Sequence, residues 1–273
     1  MSKYSNMNGR ACEGQTLVEL LKHPMLINPK LIESSETKRA IDLYTEMNKN
    51  GFKNIYIEES LNNILKIEHF KENPIIKLLP DVSGSKGFSE DISIEDGVKS
   101  IALSVKNKRL DTKSLRVGKK EFIDKYVKTI STIEEQNQYS EIRKLIKLNN
   151  GLLWGDSNNP IKKIIFEKIL IYLQAKISRL TISELQQLTL GFLGRNDYYL
   201  IGLEKIYVYN PNGSLNYKRG GTIQNLVSVD RKWDTLKILF NNNFGIYIRL
   251  HNDTPMIGKT NPKAEIGWFS VSA

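Results

Sequence analysis

Asp91 and Lys106 bound the stretch DISIEDGVKSIALSVK, whose residue types and spacing can do chemistry. Two alternating runs, DISI (91–94) and SIALSVK (100–106), are joined by EDGVK, the pattern of an antiparallel hairpin. Alternate side chains of a strand share a face. Ile101, Leu103 and Val105 therefore point one way, and Ser100, Ala102, Ser104 and Lys106 the other. On the first strand Ile92 and Ile94 face the core, leaving Asp91 and Ser93 opposite. The antiparallel return brings Asp91 and Lys106 together at one end of the sheet. A carboxylate there can hold a hard cation while an ammonium orients or activates water, the nucleus of a metal-dependent phosphodiesterase. The same pair also reads as a plain salt bridge, and the two residues alone leave both readings open.

The surroundings are basic. The chain of 273 residues carries a formal charge of +10. Between Lys99 and Lys128 ten Lys and Arg face three acids, so most of the surplus lies in that segment. Such a surplus attracts polyanions, nucleic acid or acidic lipid, although a charge run is also a common solvated face. Lys108, Arg109, Lys113 and Arg116 follow the hairpin and can hold DNA phosphates beside it. A single Cys12 and three scattered histidines (His23, His69, His251) exclude an intramolecular disulfide and a structural zinc site of the usual spacing. The stretch IIFEKILIYLQAKI carries charges and falls short of the roughly 20 apolar residues a membrane span needs. The opening MSKYSNMNGRACEG lacks the apolar run of a secretory signal. A cytoplasmic protein with no membrane segment is expected.

The elements that must position the pair follow from periodicity and punctuation. Residues 10–22 and 34–49 read as helices, the second capped at Ser34 or Ser35. Residues 119–130 and much of 134–148 look helical. Asn159 and Pro160 read as a cap and first turn leading to about Ala175, and Thr181 with Glu184 fits a capping box for a helix ending near Gly191 or Gly194. From Asp197 the chain is β-like, in YYLIG, KIYVYNPNGSL, TLKILFNNNFGIYIRL and EIGWFSVS. Tyr198 and Tyr199 are neighbours in a strand, so one is expected to face the core and the other the surface. Trp154, Trp233 and Trp268 read as core anchors.

Several blocks in order resemble the HaeIII-type restriction endonucleases, a branch of the PD-(D/E)XK nucleases. NGRACEG (8–14) resembles the family's N-terminal block, and SEDISI with LSVKNKRLDTKSLRV (103–117) its catalytic block. FLGRNDYYLI (192–201), NPNGSLN (210–216) and IYIRLHND (246–253) resemble its C-terminal blocks. The resemblance implies that Asp91 is the strand-borne ligand of Mg²⁺, Lys106 the active-site lysine and Glu13 an accessory acid near the metal. Ser104 stands where the wider superfamily has Glu or Asp, so the backbone carbonyl of Val105, or Glu13, is the implied second protein oxygen. Phe88 stands where the family places an acid before the catalytic Asp, and Glu90 is adjacent to Asp91.

The fold so implied is mixed α/β (α+β), with a restriction-endonuclease-like core sheet flanked by helices. Residues 1–155 would form the catalytic region and 156–273 a helical, then β-rich, DNA-recognition region packed with it as one integrated unit. Base readout needs side chains with paired donors and acceptors. Arg195 and Asn196, Lys218 and Arg219, and Arg249 with Asn252 are the candidates; Arg249 alternatively pairs with Asp253, and Asn196 caps a turn. The implied activity is Mg²⁺-dependent cleavage of both strands of double-stranded DNA at a short palindromic site, GGCC in the family, leaving 5′-phosphate ends. A homodimer fits a two-fold symmetric site, and a cognate DNA methyltransferase is expected in the same host. Two alternatives share the charge: a repair nuclease without sequence specificity, and a basic DNA-binding protein without catalysis.

Overall fold

The computed structural model describes residues 3–80, 90–107, 113–116, 123–124, 126–127, 131–155, 160–216, 225–240, 244–252, 254–258 and 262–270. In chain order its first half holds α1 (Lys3–Lys22), β1 (Lys30–Leu31), α2 (Ser35–Lys49), α3 (Ile55–Ile67), β2 (Ile75–Leu78), β3 (Ile92–Glu95), β4 (Ser100–Val105) and β5 (Lys113–Arg116). There follow α4 (Ile133–Leu148), α5 (Ile161–Ser178), α6 (Ile182–Leu193), β6 (Tyr198–Ile201), β7 (Tyr207–Tyr209), β8 (Leu226–Lys232), β9 (Thr235–Phe240), β10 (Phe244–His251) and β11 (Lys263–Ser270). This is a mixed α/β chain with two sheets, and no helix among the described residues is long and apolar enough to cross a membrane.

The chain divides into two compact units, residues 1–110 with 194–222, and 111–193 with 223–273. The division is interleaved and does not fall at residue 155. The reason is strand pairing: β6 returns to lie parallel to β4, Leu103 opposite Tyr199, and so carries 198–201 into the first sheet.

The first unit is built on the sheet β1-β2-β3-β4-β6-β7. Its helices bury their apolar faces, with Leu17 and Leu20 of α1, Ala40 of α2, and Ile57, Leu61 and Ile64 of α3 sharing a core with Ile92, Ile94, Ile101 and Leu103. Each fully buried Leu or Ile in such a core contributes about 1.5–3 kcal/mol. Gly14 makes the α1–α2 approach possible: a Cβ there would overlap the Ala40 carbonyl oxygen. Tyr198 and Tyr199 are both fully buried, against the expectation that one would face out. β6 is an interior strand paired on both edges, and a sheet with parallel pairs tends to be covered on both faces. Tyr198 packs on Tyr209, ring centroids 5.1 Å apart, and Tyr199 donates its hydroxyl to Glu68 Oε1 at 2.5 Å.

The second unit carries the antiparallel sheet β5-β11-β10-β9-β8 with α4, α5 and α6. Two capping boxes start its helices, Thr132 with Glu135 and Thr181 with Glu184. Residues 123–124 and 126–127 form turns where the sequence pattern predicts a helix over 119–130; the rest of that segment lies outside the described residues. Trp154 and Trp268 are core anchors, each 3 % exposed. Trp233 is not, at 81 % exposed. It occupies the two-residue turn between β8 and β9, where Lys232 pairs with Thr235 and a side chain projects from the end of the hairpin.

Candidate active site

The β3–β4 hairpin forms in the expected register, Ile92 opposite Leu103 and Glu95 opposite Ser100. Its turn is tied by Asp96, whose Oδ1 accepts from the backbone N–H groups of Val98 (3.0 Å) and Lys99 (2.9 Å), with Gly97 at φ 80. The ladder runs one residue past the strand end, because Asp91 donates its N–H to the Leu103 carbonyl at 2.8 Å. That step places the Asp91 side chain beside the end of β4. Its Oδ2 accepts from the Val105 N–H at 2.6 Å and lies 3.4 Å from the Ser104 hydroxyl.

On its other edge β4 pairs with β6, and Lys106 extends that ladder by donating its N–H to the Ile201 carbonyl at 2.9 Å. Burial pushes the Asp91 carboxyl above its usual range; the Lys106 ammonium is the strongest opposing influence, followed by the Val105 N–H, the Ser104 hydroxyl and the charge of Arg10. The hairpin register places Asp91 and Lys106 at the same end of the sheet. Glu13 lies on α1 in the same unit and pairs with Arg10 at 2.6 Å.

Three residues without any signal of this role in the sequence hold Lys106 in place. Gly202, at φ 84, passes so close that a Cβ there would overlap the Lys106 carbonyl oxygen. Asn54 donates its side-chain amide to the Gly202 carbonyl at 2.8 Å and, at 3.4 Å, to that of Lys106, while its Oδ1 caps α3 at the Tyr56 N–H. Gln15, fully buried on α1, brackets the Asn54 backbone, accepting from its N–H and donating to its carbonyl, both at 2.9 Å. Asn54 is legible locally as a helix cap, because Ile57, Leu61 and Ile64 follow at helical spacing. Its hold on residues 106 and 202 is not. Asn54→Ala is expected to cost about 2 kcal/mol, a lost cap plus a lost internal hydrogen bond, as a lowered urea midpoint with unchanged slope.

The remaining candidates are dispersed. Lys113 and Arg116 lie in β5, in the second unit. Phe88, Lys108, Arg109, Lys218, Arg219 and Asp253 lie outside the described residues. Arg195 and Asn196 are exposed in the loop before β6. That loop is braced by Asp197, which accepts from the N–H groups of Asn212 and Ser214, each at 2.8 Å. Arg249 pairs with Glu265, directly opposite on β11, and His251 Nε2 lies 3.7 Å from the same carboxylate. Asn252 donates to the Thr254 carbonyl at 3.2 Å.

Mg²⁺ needs only one or two carboxylates and keeps several of its waters. Asp91 suits that demand: Oδ2 is held by two donors, and no donor among the described residues is bonded to Oδ1. No group of three or more His, Cys, Asp or Glu side chains among the described residues is placed to hold a metal. Comparison with protein-family models, curated proteins and solved structures finds no match to this chain.

Proposed function

We propose that the protein is a Mg²⁺-dependent endonuclease acting on double-stranded DNA, with Asp91 and Lys106 at its centre. The observation that carries this reading is the placement of Asp91 and Lys106 at the same end of the β3–β4 hairpin, with Oδ2 of the buried carboxylate anchored by the Val105 N–H. The ordered sequence blocks that resemble the HaeIII-type endonucleases support it, and so does the +10 charge. On that resemblance, a restriction-endonuclease-like core, a palindromic target such as GGCC and a homodimer belong to the same proposal.

Asp91 would hold the cation, with the Val105 carbonyl or Glu13 as a second protein oxygen; use of Glu13 requires it to leave Arg10. The cation supplies charge stabilisation at the scissile phosphate. Lys106, as the ammonium, would orient the attacking water by donating to it, and the water's proton leaves to solvent. The water oxygen bonds to phosphorus as the P–O3′ bond breaks, and the departing oxygen acquires a proton, leaving 5′-phosphate and 3′-hydroxyl ends. Ser104, whose hydroxyl lies 3.4 Å from Asp91 Oδ2, would help to hold that carboxylate in place.

The test is digestion of unmethylated phage DNA with Mg²⁺ or with EDTA, followed by sequencing of the ends. Discrete fragments that require Mg²⁺ and carry one sequence at their ends are expected. A smear assigns a nuclease without sequence specificity. Folded protein that binds DNA but leaves it intact under every metal condition overturns the enzymatic reading in favour of a non-catalytic DNA-binding protein.

A further inference from the structure

Trp233 is the exposed member of the chain's three tryptophans, and its place in the turn is unfavourable for so large a residue. It has φ 56 at the first central position of a two-residue hairpin turn, where glycine is the usual occupant. The fold gains no burial from the indole. Among the described residues, its ring contact is the Lys163 ammonium, 5.9 Å from the ring centroid. Strain of this kind persists at positions that contact ligands.

Beside the indole, between α5 and the β8–β9 hairpin, opens a groove of about 910 Å³. Buried Phe166 and Leu170 line its base, and Lys162, Lys163, Arg231 and Lys232 stand around it with Trp233. Among the described residues none of these four cations forms an ion pair with a carboxylate, whereas Lys168 on the same helix pairs with Glu141. Three acids also line the groove; Asp230 and Asp234 accept from the hydroxyls of Ser228 (2.7 Å) and Thr235 (2.9 Å) and keep their charge, so with Glu167 they leave the four cations a surplus of one. Cations without a carboxylate partner beside an exposed indole, itself already approached by the Lys163 ammonium, match a chain of phosphates carrying planar bases. A duplex hides its base faces by stacking, so the complementary ligand is an unpaired strand.

We propose that this groove docks unpaired nucleic acid, with a base stacked on Trp233 and the flanking phosphates held by Lys162, Lys163, Arg231 and Lys232. The site lies wholly within the second unit and is independent of the chemistry assigned to Asp91 and Lys106. Because Trp154 and Trp268 are each 3 % exposed, a change in indole fluorescence on binding reports mainly on Trp233. Titration of the full chain in EDTA with an oligo-dT strand of about 20 nucleotides, longer than a typical single-strand site, is expected to quench that fluorescence saturably.

Trp233→Ala should weaken binding of a labelled strand about 10-fold, the scale of one lost base stack. Lys162→Ala combined with Lys163→Ala should flatten the plot of log affinity against log salt by about 0.7 per phosphate contact removed. Trp233→Gly separates binding from folding: glycine suits the turn, so the thermal midpoint should hold or rise while the strand binds as weakly as to Trp233→Ala. Absence of quenching, wild-type affinity in both Trp233 variants, or a matched duplex that binds as tightly and depends equally on Trp233 overturns the proposal. A response only to vesicles of phosphatidylcholine and phosphatidylserine likewise overturns it and assigns the groove to a lipid surface.

Discussion

Asp91→Asn and Lys106→Ala are each expected to lower the proposed Mg²⁺-dependent DNA cleavage by about 10³-fold, within the range lost with a proton-transfer or charge-stabilising group, while duplex binding in EDTA should stay near the wild-type level. The two substitutions differ in what they do to the folded protein. The amide introduced by Asp91→Asn would keep an acceptor for the Val105 N–H, so the end of the hairpin remains tied. The Asp91 carboxyl is raised above its ordinary value of 3.8, chiefly by burial. A group raised on folding stabilises the native state below its unfolded value, and that contribution is lost as pH rises through the folded one.

Without a cation, ionising Asp91 as pH rises is therefore a cost to the fold. Asp91→Asn should raise the thermal midpoint where Asp91 is ionised, at about 2–4 °C for each kcal/mol recovered, and the gain should shrink toward acid pH. Added Mg²⁺ should stabilise the wild type and not this variant, since a ligand that binds only the native state raises its stability. A variant that cuts DNA at the normal rate, or that gains the same stabilisation from Mg²⁺, would show that the cation is held elsewhere.

Glu68→Ala is expected to cost about 3–5 kcal/mol, the scale for removing one partner of a buried charge pair. Glu68 follows α3 as its C-cap and is fully buried. Its Oε1 accepts from the Tyr199 hydroxyl at 2.5 Å and from the Asn216 N–H at 2.7 Å, and its Oε2 meets the Lys99 ammonium. Alanine would leave a phenol, a backbone N–H and an ammonium without their acceptor in the first unit, and the fully buried Tyr199 phenol carries the largest desolvation cost of the three. Glu68→Gln keeps an oxygen for Tyr199 and loses the attraction to Lys99, so it should fall between alanine and the wild type. Urea unfolding measures both. A loss under about 1 kcal/mol for alanine would mean that water reaches these groups and replaces the carboxylate.

Neither Glu68 nor Asn54 stands out in the sequence, and the reason is distance along the chain. Asn54 and Gly202 are 148 residues apart, as are Glu68 and Asn216. Nothing in the pattern around Glu68 distinguishes it from a solvated carboxylate at the end of an amphipathic helix. Arg249 shows the same limit in another form. Local spacing offers it Asp253, but cross-strand pairing supplies Glu265, because β10 and β11 run antiparallel with those two residues opposite.

What the sequence determined by itself is what depends on a few neighbouring residues. The alternation of 100–105, the turn through Asp96 and Gly97 and the capping box of Thr181 with Glu184 all involve groups within hydrogen-bonding reach of one another along the chain. They suffice to place Asp91 and Lys106 at the same end of the hairpin. Only the tertiary structure decided that β6 inserts beside β4, burying both Tyr198 and Tyr199, and that Gly202 and Asn54 then close on the Lys106 backbone. It alone decided that Trp233 stands in water, because hydropathy reports a preference for burial, whereas exposure depends on which distant elements cover the turn.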